Sequence, residues 1–130
     1  MYKVLICVPT YNRNESLLDC LKSIRDLNNN NYFKVNILVL DNSFKNVSFK
    51  IVSEFKKKNN LKIFQYHEKK RGIVFARNKC LKIIRKTKTD FSCFIDDDCE
   101  LSKVWLKNML KFYEITKSDV ITGPQISKSQ

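Results

Sequence analysis

Residues 91–100 read F-S-C-F-I-D-D-D-C-E, and their meaning fixes how the flanking segments are understood. Phe91 to Ile95 is a mostly apolar run of strand length, and Asp96, Asp97 and Asp98 follow with no turn signal between. In an open α/β sheet, ligands bind in the crevice beyond the carboxyl ends of the strands. The aspartates would emerge there. Side chains alternate along extended backbone, so Asp96 and Asp98 share one side while Asp97 points the other way. Crowded carboxylates repel, and an unpaired charge beside an apolar strand end is costly. A hard divalent cation relieves both problems: Mg²⁺ or Mn²⁺ on one or two carboxylates, completed by water and phosphate oxygens. Asp96 and Asp98 are therefore the candidate metal ligands. The competing reading is a solvated acidic turn, since aspartate is common in loops.

Working outward, the same strand-then-polar pattern recurs. Lys3 to Val8, K-V-L-I-C-V, is a continuous apolar run, the mark of a strand buried on both faces, and Pro9-Thr10-Tyr11-Asn12-Arg13 breaks it. Asn12 with Glu15 resembles a capping box for a helix carrying Leu17, Leu21, Ile24 and Leu27. Val35 to Leu40 is a second strand, ended by Asp41-Asn42-Ser43, and residues 47–58 form a weaker helix. Leu61 to Tyr66 alternates as a third strand, Arg71-Gly72 turns, and a helix follows over 73–85. After the aspartates, Ser102 caps a helix with Trp105, Leu106 and Leu110 inward, and Asp119 to Thr122 reads as a short last strand. Strands alternating with helices of this length specify βαβ units. The expected fold is α/β: a Rossmann-like, mostly parallel sheet flanked by helices. Such a sheet gathers Thr10-Tyr11, Asp41-Asn42 and Asp96–Asp98 along one edge.

The 130 residues make one domain or part of one, with 43% hydrophobic residues to build a core. Lys and Arg number 25 against 13 Asp and Glu, a net charge of +12. That excess calls for an anionic partner: nucleotide phosphates, nucleic acid or an acidic membrane surface. Much of it lies in short runs such as Lys56-Lys57-Lys58 and Lys69-Lys70-Arg71, which are usually solvated helix ends. Five cysteines without C-x-x-C spacing read as reduced thiols serving as small apolar residues, as in a cytoplasmic protein. With only two glycines, neither a G-x-G-x-x-G turn nor a P-loop can be built. With one histidine, His67, no Ser-His-Asp set is possible.

Four segments in order carry a resemblance: V-P-T-Y-N-R at 8–13, D-N-S at 41–43, R-G-I-V-F-A-R-N at 71–78 and F-I-D-D-D-C at 94–99. Together they resemble family 2 glycosyltransferases of the GT-A fold, over nearly the whole chain. The resemblance implies that residues 1–130 are a nucleotide-sugar-binding domain, the N-terminal part of a longer catalytic domain, with an incomplete sheet. It places Pro9, Thr10 and Tyr11 against the nucleoside, Asp41 and Arg71 at the base, and Arg77 and Asn78 in the A-R-N signature. Asp96 would lie by the ribose, Asp97 among the donor contacts, and Asp98 on the metal. Arg77 as a salt bridge to the aspartates, Tyr11 as a packing residue and Trp105 as core stay open beside these roles.

The implied activity is metal-dependent transfer of a sugar, most often from a UDP-sugar, to an acceptor hydroxyl. By resemblance this is an inverting, hexosyltransferase-like reaction of cell-surface polysaccharide biosynthesis on a glycan or lipid-linked acceptor. Such a protein is expected in the cytoplasm, with peripheral contact to the inner face of the membrane. The general base is expected beyond Gln130, because Glu100 and Glu114 do not stand in the family's base context. Two other classes compete: a basic α/β module for nucleic acid or an acidic surface, and a metal-dependent phosphoesterase.

Overall fold

A computed structural model describes residues 1–29 and 31–127. Strands and helices alternate: β1 (Tyr2–Thr10), α1 (Asn14–Arg25), β2 (Phe33–Asp41), α2 (Phe49–Asn59), β3 (Ile63–His67), α3 (Ile73–Ile84), β4 (Phe91–Phe94) and α4 (Trp105–Thr116). The strands form one sheet in the order β3-β2-β1-β4, with every pair parallel. This is the expected α/β architecture.

The apolar runs explain the layering. Along β1, Val4, Ile6 and Val8 face a core shared with Leu17, Leu21 and Ile24 of α1, Val52 and Phe55 of α2, and Leu106 and Leu110 of α4. The alternate residues Leu5 and Cys7 face the opposite side, with Leu38, Leu40 and the α3 residues Ala76 and Cys80. Each fully buried aliphatic side chain is worth about 1.5–3 kcal/mol. That packing, and not capping, holds α1, because its N-cap Arg13 makes no side-chain cap hydrogen bond.

Register sets where the strands end. Thr10 pairs with Asp41, Asp41 pairs with His67, and Cys7 pairs with Phe94. β1 runs on through Pro9, so Thr10 closes the strand and lies beside Asp41. Sequence position and sheet geometry therefore deliver the three polar strand ends to one edge.

Three local expectations are corrected. Asn12 does not cap α1: it takes the left-handed conformation at φ 52°, and the helix begins at Asn14. Ser102 caps nothing with its side chain; its carbonyl accepts from the Trp105 amide, and Val104 is the N-cap of α4. Residues 119–122 form no strand among the described residues. Val120 is exposed there, and among the described residues β4 is hydrogen-bonded to β1 alone, so its outer edge stays open. Trp105 packs partly buried against the core, and all five cysteines are free thiols. No helix among the described residues is long and apolar enough to cross a membrane.

Candidate functional site

The aspartates do not play equal parts. Asp97 is only 6% exposed and is gripped by the end of β1. The Thr10 hydroxyl donates to Oδ2 at 2.9 Å and the Tyr11 amide to the same oxygen at 3.4 Å, while an Arg13 guanidinium nitrogen lies 3.4 Å from Oδ1. The sheet ladder is carried one residue past β4 by the Ile95 amide, which donates to the Cys7 carbonyl at 3.0 Å. The chain then turns, with the Cys99 amide donating to the Asp96 carbonyl at 3.0 Å. Asp96 and Asp98 are left exposed, as alternation along the strand suggested, although a turn rather than extended backbone achieves it.

Asp96, Asp98 and Cys99 bring one ligand atom each within 4.8 Å of one another. The carboxylates suit a hard divalent cation. Cys99 adds a soft donor that the sequence had marked only as an apolar thiol. Its proton is held more tightly than usual, first by burial and then by the charges of Asp96 and Asp98. Arg13 reaches here too, with a guanidinium nitrogen 3.3 Å from Asp98 Oδ2.

Asp41 organises the neighbouring loop. It is 1% exposed, and its oxygens accept from the amide and hydroxyl of Ser43 and from the amide and hydroxyl of Ser48. Burial pushes its pKa up, but these donors outweigh that and hold the carboxyl below its ordinary value. The His67 ring nitrogen Nε2 lies 2.7 Å from the Ser43 carbonyl and ties β3 to the same loop. Asn42 holds the other loop: its amide donates to the carbonyls of Glu68 and Lys70, and its oxygen accepts from the Gly72 amide. The D-N-S triplet thus fixes the segments that follow β2 and β3.

Cations and rings form the rim. The Arg71 guanidinium carbon sits 4.6 Å from the centroid of the Tyr11 ring, and Arg77 lies 5.9 Å from that of Phe94. Contacts therefore run from Arg71 through Tyr11 to Asp97, and from Asp97 through Arg13 to Asp98. Among the described residues the aspartates' ion pairs come from Arg13, and Arg77 makes none. Pro9 is half-buried opposite Leu40, while Asn78 lines a separate hollow of about 340 Å³ with Lys82 and Arg85. Another hollow, of about 320 Å³, lies at the amino ends of the strands and has no aspartate in its lining. Sequence reasoning assigned no place in the site to Arg13, Ser48 or Cys99. Arg13 and Cys99 lay inside quoted motifs; nothing in the sequence marked Ser48 as a partner of Asp41.

The sequence pattern of Glycosyl transferase family 2 matches residues 5–130. The chain belongs to that family. It is 28% identical over 123 residues to the poly(ribitol-phosphate) beta-N-acetylglucosaminyltransferase TarS of Staphylococcus aureus, covering 93% of this chain and 20% of TarS. It is 29% identical over 119 residues to the succinoglycan biosynthesis protein ExoM of Rhizobium meliloti, covering 92% and 37%. The chain thus spans a fifth to about a third of these curated relatives. The crystal structure of TarS 1–349 with UDP-GlcNAc superposes at a TM-score of 0.68 and 26% identity, covering 98% of this chain and 37% of that one. The mannosyltransferase PcManGT of Pyrobaculum calidifontis, in complex with GDP-Man and Mn²⁺, shares the fold at a TM-score of 0.70 and 22% identity, covering 85% and 32%. The sheet and helices are accordingly part of a GT-A glycosyltransferase fold.

Proposed function

We propose that this chain holds a nucleoside-diphosphate sugar, with a divalent cation, for transfer of the sugar to an acceptor hydroxyl. The observation that carries this is the division of labour among the aspartates: Asp97 is consumed by β1, which leaves Asp96 and Asp98 exposed with their donor atoms together at the strand edge. Mn²⁺ or Mg²⁺ on Asp96 and Asp98 would supply charge neutralisation for a departing diphosphate. Tyr11, stacked under Arg71, and Pro9-Thr10 would line the nucleoside. The base would meet Arg71 and the Asp41 edge, through that carboxylate or the loop it holds. Arg77 and the rim cations add positive potential toward phosphate. UDP is the favoured nucleotide, since the structure of TarS 1–349 holds UDP-GlcNAc.

The finer proposals follow the relatives' names. TarS is named as a poly(ribitol-phosphate) beta-N-acetylglucosaminyltransferase and ExoM as a succinoglycan biosynthesis protein, which supports hexosyl-type transfer to a glycan; an inverting course and a cell-surface or lipid-linked acceptor extend that reading. Five free cysteines support a reducing, cytoplasmic setting, and the net charge of +12 supports peripheral contact at an anionic membrane face.

Thermal unfolding with UDP, GDP, dTDP or CMP, each with and without Mn²⁺, tests the donor site. Ligand at 100 times its dissociation constant adds about 2.7 kcal/mol, a rise of several degrees. The expected outcome is a rise with UDP that needs Mn²⁺ and disappears in Asp98→Asn. No rise with any nucleotide would defeat the proposal.

A further inference from the structure

The Arg13 contact has a geometry that bears on how the site takes its cation. Strong arginine–carboxylate pairs are bidentate and short, about 2.7–2.9 Å. Here one guanidinium nitrogen is shared, 3.4 Å from Asp97 and 3.3 Å from Asp98, and the Arg13 and Asp98 side chains are each 56% exposed. Exposed pairs of this kind bind weakly. Asp97 does not depend on it, having the Thr10 hydroxyl at 2.9 Å and the Tyr11 amide. What Arg13 supplies is a positive charge beside an exposed carboxylate whose donor atoms cluster with those of Asp96 and Cys99. A guanidinium keeps its charge at any working pH.

We propose that Arg13 is a positioning residue that serves as a tethered counter-cation: it occupies the Asp98 carboxylate until a divalent cation displaces it. This rests on the cation site proposed above. Arg13 and the cation compete for one carboxylate and repel each other, so Arg13 lowers the affinity of the empty site for metal alone. The same loose pair keeps Asp98 turned toward the end of β1 and ready to exchange.

Titration with Mn²⁺ and no nucleotide, following the signal of free Mn²⁺ by electron paramagnetic resonance, tests this on wild type, Arg13→Gln, Arg13→Ala, Arg13→Lys and Asp98→Asn. Arg13→Gln and Arg13→Ala should bind Mn²⁺ about 3- to 10-fold more tightly, as expected when one unit charge a few ångströms away is removed at high effective dielectric. Arg13→Lys keeps the charge and should stay within about twofold of wild type by the same argument. Thermal midpoints without metal check folding, and either neutral variant suffices if the other is unstable. Unchanged or weaker binding in the neutral variants overturns the proposal, as does tighter binding in Arg13→Lys. If Mn²⁺ binds to wild type and to Asp98→Asn equally, or to no variant at all, the cation site itself falls and takes this inference with it.

Discussion

The Thr10 hydroxyl donates to Asp97 Oδ2 across 2.9 Å, joining residues 87 positions apart. One hydrogen bond thereby fastens the end of β1 to the aspartate turn after β4. Asp97 commits to the scaffold, and the aspartates on either side are left exposed.

Replacing Thr10 with Val removes that donor and leaves Asp97 under-satisfied in a buried place. Hydrogen bonds to charged groups contribute about 1.5–3 kcal/mol, so Thr10→Val should lose that much in urea unfolding. Thr10→Ser should recover most of it. A loss below about 0.5 kcal/mol would mean that the Tyr11 amide and Arg13 satisfy Asp97 unaided.

Asp41 gives the fold a pH dependence of known sign. Its folded pKa lies below the ordinary 3.8, with the donors of Ser43 and Ser48 prevailing over burial. A depressed carboxylate contributes stability that is full above the unfolded pKa and is lost as pH falls through the folded one. Wild-type stability should therefore drop as pH is lowered from about 5 into the acid range. Asp41→Asn should be less stable at neutral pH and show a shallower acid slope. Urea midpoints across that range check it, and parallel slopes would remove Asp41 as a source of the dependence.

Asn42 grips the 68–72 segment through Glu68, Lys70 and Gly72, and Arg71 lies inside that segment, over Tyr11. Asn42→Ala should thus weaken nucleotide binding as well as stability. Each lost hydrogen bond costs about 0.5–1.5 kcal/mol. Calorimetric titration with UDP and Mn²⁺ should show weaker binding at a temperature where the variant is fully folded. Unchanged affinity would show that Arg71 is positioned without Asn42.

The sheet was legible because its signal is local: V-L-I-C-V and I-L-V-L are buried on both faces and are spaced by amphipathic helices. Parallel register then did the rest, bringing Thr10 level with Asp41. What stayed hidden is chemistry that depends on distance in sequence. Alternation sets Asp97 apart from Asp96 and Asp98, but nothing local says what it meets; its burial comes from Thr10, Tyr11 and Arg13 at another strand end. The capping pattern at Asn12 misled for a related reason: the chain turns left-handed there at φ 52°, just before Arg13 reaches the aspartates. Residues 119–122 misled because strand propensity alone does not bring a segment onto the sheet: among the described residues the outer edge of β4 stays unpaired.

Gly72 separates backbone constraint from side-chain chemistry at the site. It caps α3 at φ 138° and ψ 142°, a region closed to residues with a Cβ, and an added Cβ would stand 3.2 Å from Phe75 Cδ2. Its carbonyl accepts the first helical bond from Ala76, and its amide donates to Asn42. Gly72→Ala should therefore cost about 1–3 kcal/mol and pull Arg71 off Tyr11, weakening UDP binding. Gly123 is the control. It has no left-handed φ, and its added Cβ would meet mainly the Trp105 side chain, at 3.1 Å from Nε1. Gly123→Ala should cost less, because a partly buried side chain can shift where a backbone cannot. Chemical denaturation of both variants decides: equal losses would mean that the turn before α3 tolerates a side chain and does not set the position of Arg71.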